Sequence, residues 1–338
     1  MPSKEYAILH SLKPYMNFSP GPHYPVGIGD DAVVRESAYG ERVALTADVA
    51  VEEVHFSRRY MSLEEIGYKA MVSNISDCAA MGAQPDGALI QLVFPQETDS
   101  PEEQIKKVYR GFHAACTHWG FPIIGGDLAR GPLWVLAITL LGRIAAQERI
   151  LYRSGARPGD YIWVSGYPGQ SRAGLEVLRR WGRRSHKSHT YDSLIASHIH
   201  PPARVALGRM LASDSRVHAA IDISDGVAKE SRTIASESGL GIELTLKECH
   251  TSYQMRQLAH ELQVNWYQWM LGGGEDYELL FAADPSFDPQ ILSLPAAVPC
   301  FRIGHCVKTG PNLIVRGCSG DIVDVDSGGW DHFGETEK

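Results

Sequence analysis

Residues 62–95, SLEEIGYKAMVSNISDCAAMGAQPDGALIQLVFP, hold a complete helix-to-strand transition. Ser62 followed three positions later by Glu65 is a capping box, in which side chain and backbone satisfy each other's orphan N–H groups. Apolar and small residues then recur at helical spacing until Gly82, a residue suited to the left-handed backbone that closes a helix. Ala88 to Pro95 is an apolar run of strand length. The pattern then repeats, because Ser100, Pro101 and Glu103 read as a second capping box with proline at the first helical position, and this helix runs toward Gly120. Helix and buried strand in alternation exclude an all-helical or all-β protein.

Working outward, AVV at 32–34 and VALTAD at 43–48 read as strands before this stretch, and FPII at 121–124 and LWVLAITLLGRI at 133–144 as strands after it. The segment RSGARPGDYIWVSG, 153–166, concentrates Gly, Pro and Asp just ahead of a further strand, which places a domain boundary before it and gives units 1–150 and 151–338. In the second unit, helices are expected over Ala173–Trp181, Ala203–Leu211 and Val227–Ser238. Strands are expected over Ala219–Ile223, Ile242–Leu246, Tyr277–Ala282 and Phe301–Val307. The fold class is α/β in the first unit and α+β in the second.

A chain of 338 residues suits two cores. With 44% hydrophobic and 21% charged residues it is globular, and its net charge of -8 disfavours nucleic acid and anionic membrane as partners. The basic stretch RRWGRRSHKSH, with Arg179, Arg180, Arg183, Arg184 and Lys187, is the one local argument for a nucleic-acid-binding module. A solvated helix end and loop explains it equally well, and His186, His189, His198 and His200 read as part of that polar loop. The first residues lack a secretory signal and no apolar run is long enough to span a bilayer, so a cytoplasmic location is expected. The six cysteines form no C-x-x-C and read as reduced structural thiols.

The acids carry the chemistry. Asp30 and Asp31 follow GIG, Asp48 ends one strand-like run and Asp127 follows another with GG before it. Asp222 and Asp225 lie in AAIDISDG, and Glu275 and Asp276 follow GGG. Asp77 shares a helical stripe with Ile66, Ala70 and Ser73 and should point inward, with Lys69 the only cation in its segment. Each Asp alone reads as a turn or cap residue. Together they describe a crowded anionic site for which a hard, oxygen-preferring cation such as Mg²⁺ is the remedy. Glycines at 27, 29, 125, 126 and 272–274 would let backbone approach a bulky anion. No P-loop, dinucleotide fingerprint, protein-kinase set, H-E-x-x-H or G-x-S-x-G is present.

Taken in order, GIGDDAVV, VEEVHF, YKAMVSNISDCAAMGAQP, IIGGDLARG, RSGARPGD, IDISDG, GGGEDYELLF and GWDHF resemble the thiamine-monophosphate kinase family, within the aminoimidazole ribonucleotide synthetase-like superfamily. The resemblance runs from about Gly27 to Phe333. It implies a homodimer joined through the N-terminal sheets, with the second domain closing a nucleotide cleft. It also implies direct in-line transfer of the ATP γ-phosphoryl to thiamine monophosphate, assisted by several Mg²⁺ ions. The family's metal positions fall on Asp31, Thr46, Asp48, Asp77, Asp127, Asp222 and Asp225, with Asp77, Asp127 and Asp222 central to catalysis. Nucleotide positions fall on Gly126, Arg153 and Ser224. Acceptor positions fall on His55 and Glu275, with Trp330 the nearest aromatic in the tail. Ala47 stands where many members have Thr. The nearest alternative is another ATP-dependent enzyme of the superfamily, of the purine-synthesis cyclase type.

Overall fold

The computed structural model describes residues 24–25, 29–37, 40–96, 100–291 and 298–325. A first sheet is built from β1 (Val33–Glu36), β2 (Arg42–Val51), β3 (Gln84–Pro95), β4 (Ile123–Gly131) and β5 (Val135–Ile144) in the order β1-β2-β5-β3-β4. All neighbours are antiparallel except β3 and β4, which are parallel and joined through a helix. Two helices cover one face: α1 (Leu63–Ala80) and α2 (Pro101–Trp119). They cross where Gly111 meets the backbone of Glu64 so closely that a Cβ would fall 1.9 Å from its carbonyl oxygen.

The Ser62 capping box forms as expected, and caps of this kind contribute about 1 kcal/mol. The second does not. Ser100 lies at φ 50° with no side-chain cap bond, so only Pro101 and the left-handed Gly120 end follow the sequence reading. The strand over FPII is also longer than expected: β4 continues through IIGGDLARG, which puts Asp127 within a strand and not after one.

The second unit has a six-stranded sheet, β6 (Tyr161–Ser165), β7 (Val217–Asp222), β8 (Gly241–Thr245), β9 (Leu279–Ala283), β10 (Cys300–Val307) and β11 (Asn312–Arg316), in the order β11-β8-β10-β6-β9-β7. Its helices are α3 (Gln170–Trp181), α4 (His186–Thr190), α5 (Asp192–Ile199), α6 (Val205–Ser213), α7 (Val227–Ser238), α8 (Tyr253–Leu262) and α9 (Trp266–Gly272). Sequence reading missed α4, α5, α8, α9 and β11. The polar stretch around His186 to His200 is therefore helical, and His198 is buried, not a loop residue.

One apolar cluster runs from the first sheet through α1 into α3, α5, α6 and the near face of the second sheet, and another fills the far face of that sheet under α7. The larger core thus spans both units. Contact is close, since a Cβ on Gly208 of α6 would lie 1.9 Å from the Ala79 carbonyl oxygen of α1. All six cysteines are free thiols, and no helix among the described residues is long and apolar enough to cross a membrane.

Candidate active site

Helix α1 is buried on most of its surface, from Glu65 and Ile66 to Ala79 and Ala80, so its polar residues are presented to protein and not to solvent. At its C-terminal end Asp77 faces Asp31, which precedes β1, and Asp222, the last residue of β7. One carboxylate oxygen from each lies within 4.8 Å of the others. Thr46 of β2 donates its hydroxyl to Asp77 Oδ2, and Ser76 donates to Asp222 Oδ2 at 2.7 Å. Both units therefore supply the cluster.

The electrostatics are those of a crowded anionic site. Loss of hydration is the largest cause raising the Asp77 pKa well above its usual value, followed by the negative charges of Asp48, Asp222 and Asp31. Burial and then Asp31 do the same to Asp222. Asp30 is pushed up to about 6 by burial, with Asp31 adding to it. Two cations partly offset this charge. Arg153 reaches Asp31 Oδ1 at 2.6 Å, and its backbone N–H binds Asp30 at 3.0 Å; Lys229 reaches Asp225 Oδ2 at 2.7 Å. Even so, Asp31 Oδ2 is buried with no hydrogen-bond partner. An orphaned carboxylate oxygen beside two further carboxylates, with only oxygen donors around it, fits a hard divalent cation.

A cleft of about 1180 Å³ opens from this cluster between the two units. Asp48 and Asp225 line it, as do Ser224, Arg153, His55 and Glu275. His55 Nδ1 accepts the Val51 N–H at 3.0 Å, which fixes the neutral ring's proton on Nε2. Glu275 pairs with Lys69 at 3.0 Å, so the cation that sequence placed near Asp77 serves a carboxylate two helical turns away.

Asp127 and Gly126 are not brought to this cleft within the chain. Asp127 pairs with Gln91, and Gln91 pairs with Ala137, on the face of the first sheet away from α1 and α2. Asp48 lies on the opposite face, three strands away, or about 14 Å at the spacing of neighbouring strands. Asp127 is exposed on an edge strand. One chain alone thus leaves it outside the acid cluster. Trp330 lies outside the described residues.

The glycine reading also changes. A Cβ on Gly274 would lie 2.1 Å from the Ser224 carbonyl oxygen, and one on Gly126 would lie 1.9 Å from that of Ile90. These glycines permit backbone-to-backbone approach. Gly29, with φ 118° and nothing within 4 Å of such an atom, leaves open space beside the acids. Ala47 points away from the face that carries Thr46 and Asp48, so a threonine there would not add to the cluster.

Sequence reasoning missed three participants. Glu230, on the first turn of α7, accepts the Asp225 N–H at 3.0 Å and has its pKa pushed up to about 8 by burial and by Asp225. Ser76 and His198 were hidden because helical period ranks residues by polarity and does not say which buried polar groups will meet. Asp276 has a different role from its neighbour: its carboxylate accepts the N–H groups of Gly169 at 2.7 Å and Ser171 at 3.1 Å and so anchors the start of α3. Three residues of the basic stretch pair with acids outside it, Arg183 with Glu65, Arg180 with Glu176 and Lys187 with Glu261.

Residues 29–144 match the AIR synthase related protein, N-terminal domain, and residues 157–316 match the AIR synthase related protein, C-terminal domain. The thiamine-monophosphate kinase of Bacillus subtilis is 32% identical over 333 residues, covering 97% of this chain and 99% of that protein. That of Salmonella typhimurium is 33% identical over 91% of each. The structure of AaThiL complexed with AMPPCP and TMP superposes with a TM-score of 0.84, at 29% identity and 97% coverage of both chains. Hydrogenase maturation protein HypE shares the fold alone, at 16% identity and a TM-score of 0.67.

Proposed function

The chain belongs to the thiamine-monophosphate kinase family, and from that premise we propose that it transfers the γ-phosphoryl group of ATP to thiamine monophosphate, giving thiamine diphosphate and ADP. The observation that carries this reading is the acid cluster of Asp31, Asp77 and Asp222 at the base of a cleft between the two units. It is supported by the relative solved with AMPPCP, an analogue of ATP, and TMP. The units divide near residue 150, and the protein acts in the cytoplasm.

Mg²⁺ is the cation this donor set suits, held by Asp31, Asp77 and Asp222 with Thr46, Asp48 and Asp225 beside them. When bound it would neutralise the phosphate oxygens and align them for in-line displacement. The chain's own residues do the rest. Arg153 offers a planar fork of donors that suits phosphate, and Ser224 fixes the loop below it by accepting the Glu275 N–H at 2.7 Å. His55 presents an N–H donor from Nε2, suited to orienting the acceptor. Both substrates carry negative charge, so the reaction is a matter of positioning and charge neutralisation more than covalent chemistry.

The position of Asp127 favours a homodimer. Val49, Ile124 and Leu128 are large apolar residues, each about half exposed, on or beside the uncovered sheet face and its β4 edge. Covering that face together with the β4 edge by a second copy would bury them and bring Gly126 and Asp127 of the partner subunit toward this chain's cleft.

The test is product identification. Incubated with ATP, Mg²⁺ and either thiamine monophosphate or thiamine, the protein should yield thiamine diphosphate and ADP from the monophosphate alone. ATP consumption without thiamine diphosphate would overturn the assignment.

A further inference from the structure

A buried cation stands at the far end of the cleft from the acid cluster. Lys69 is 4% exposed, and its ammonium lies 3.0 Å from Glu275 Oε1. Its other close neighbour is the imidazole of His198, with Nε2 at 3.3 Å and Nδ1 at 3.4 Å. Burial, then Lys69, Arg179 and Arg172, hold the His198 pKa well below its ordinary value. The ring is therefore neutral and receives the ammonium without adding charge. Ser171 meets its Nδ1 at 3.1 Å and fixes its orientation.

A buried lysine is a poor device for stability, because an apolar side chain of similar length would fill the space without desolvating a charge. Its visible effect is on Glu275. That residue has φ 61°, rare outside glycine, and its N–H is held by the Ser224 carbonyl. The backbone is thus tied at one end of the residue and Oε1 is held by Lys69 at the other. Oε2 lies 3.8 Å from His198 Nδ1, beyond hydrogen-bond length, and the side chain is 29% exposed on the cleft.

We infer that Lys69 is a positioning residue for the acceptor: by holding Glu275 Oε1 it aims Oε2 into the cleft as a hydrogen-bond acceptor for the amino-bearing pyrimidine of the substrate. Helix α1 sets the distance. Lys69 and Asp77 are eight residues apart, about 12 Å along the helix axis, so one rigid element carries both the phosphate end and the ring end of the site. This rests on the reading of the acceptor as thiamine monophosphate.

Steady-state kinetics on the full chain test it. Lys69→Met should raise KM for thiamine monophosphate at least ~10-fold while kcat and KM for ATP stay within about 3-fold, a split that general loss of structure would not give. Glu275→Gln should do the same, and the double variant should be no worse than Glu275→Gln, because Lys69 acts through that carboxylate. The unaltered protein gives a readout independent of folding: it should favour thiamine monophosphate over the analogue whose exocyclic amine is replaced by a carbonyl oxygen by at least ~10-fold in kcat/KM. An unchanged acceptor KM in Lys69→Met, additive effects in the double variant, or no preference for the amine would each overturn the inference. Absence of thiamine diphosphate with the unaltered protein would instead overturn the proposed function.

Discussion

Replacing Asp77 by Asn removes one of three carboxylates whose oxygens lie within 4.8 Å of one another, and leaves an amide that still accepts the Thr46 hydroxyl. Two unit charges at that distance repel by about 3.5 kcal/mol at an effective dielectric of 20. The metal-free site takes up protons to avoid bearing this in full, so a gain of about 1–3 kcal/mol is expected from the substitution. Unfolding entropy near 2.1 cal/mol/K per residue over 338 residues converts each kcal/mol into about 1.4 °C. In chelator at pH 8 the variant should therefore melt about 1–4 °C above the parent. The sign with pH is fixed by the raised pKa values of Asp77 and Asp222. The penalty is absent below the unfolded value near 3.8 and grows as pH rises through the folded values, so the two proteins should converge near pH 4. Mg²⁺ with an ATP analogue at 100 times Kd should stabilise the parent by about 2.7 kcal/mol and the variant far less. Turnover should fall at least ~10²-fold. Differential scanning calorimetry with and without ligand reads both directions. A metal-free variant melting more than about 3 °C below the parent at pH 8 would refute the reasoning and make Asp77 a structural partner.

The position of Asp127 gives a complementation test: Asp77→Asn and Asp127→Asn should each be nearly inactive, yet mixing them under subunit exchange should restore about a quarter of the sites. No recovery in verified mixed dimers would mean that Asp127 does not serve the partner's site. Asp276→Asn should cost about 1–2 kcal/mol, read by urea titration, because an amide cannot accept both the Gly169 and Ser171 N–H groups. That loss should appear with or without ligand. Burial pushes the Asp276 pKa up to about 8, so the parent should also lose stability as pH rises through that value, a slope the Asn variant lacks. Finally, the neutral His55 ring carries its proton on Nε2 while Val51 occupies Nδ1, leaving no lone pair to attack phosphorus. Incubation with γ-labelled ATP and no acceptor, quenched in alkali, should leave the protein unlabelled. Label that chases into thiamine diphosphate would establish a covalent intermediate.

Much of this protein was legible in its residues because local rules acted without opposition. The Ser62 box, the left-handed Gly120 and the strand-length apolar runs define elements through neighbours a few positions away. The ordered motifs from GIGDD to GGGEDYELLF were enough to assign the family. The Ser100 box failed because the chain entering α2 turns through a left-handed conformation that keeps the side chain from the helix N–H groups. Helices α4, α5 and α9 escaped notice because they are short and become helical by packing on neighbours, whereas α8 carries a legible period and a Ser252 cap on the Met255 N–H that the reading passed over.

Tertiary structure decided how the acids divide. Glu275 and Asp276 are adjacent in sequence, yet one pairs with Lys69 at the cleft and the other anchors α3, because Glu275 and Tyr277 both take left-handed backbone and turn successive side chains toward different elements. Asp48 and Asp127 both follow apolar runs, yet strand pleat sends them to opposite faces of one sheet. Sequence fixes which residues bear charge and which segments form strands or helices. Which charges share a site depends on register, and register is set only when the whole sheet and its covering helices pack.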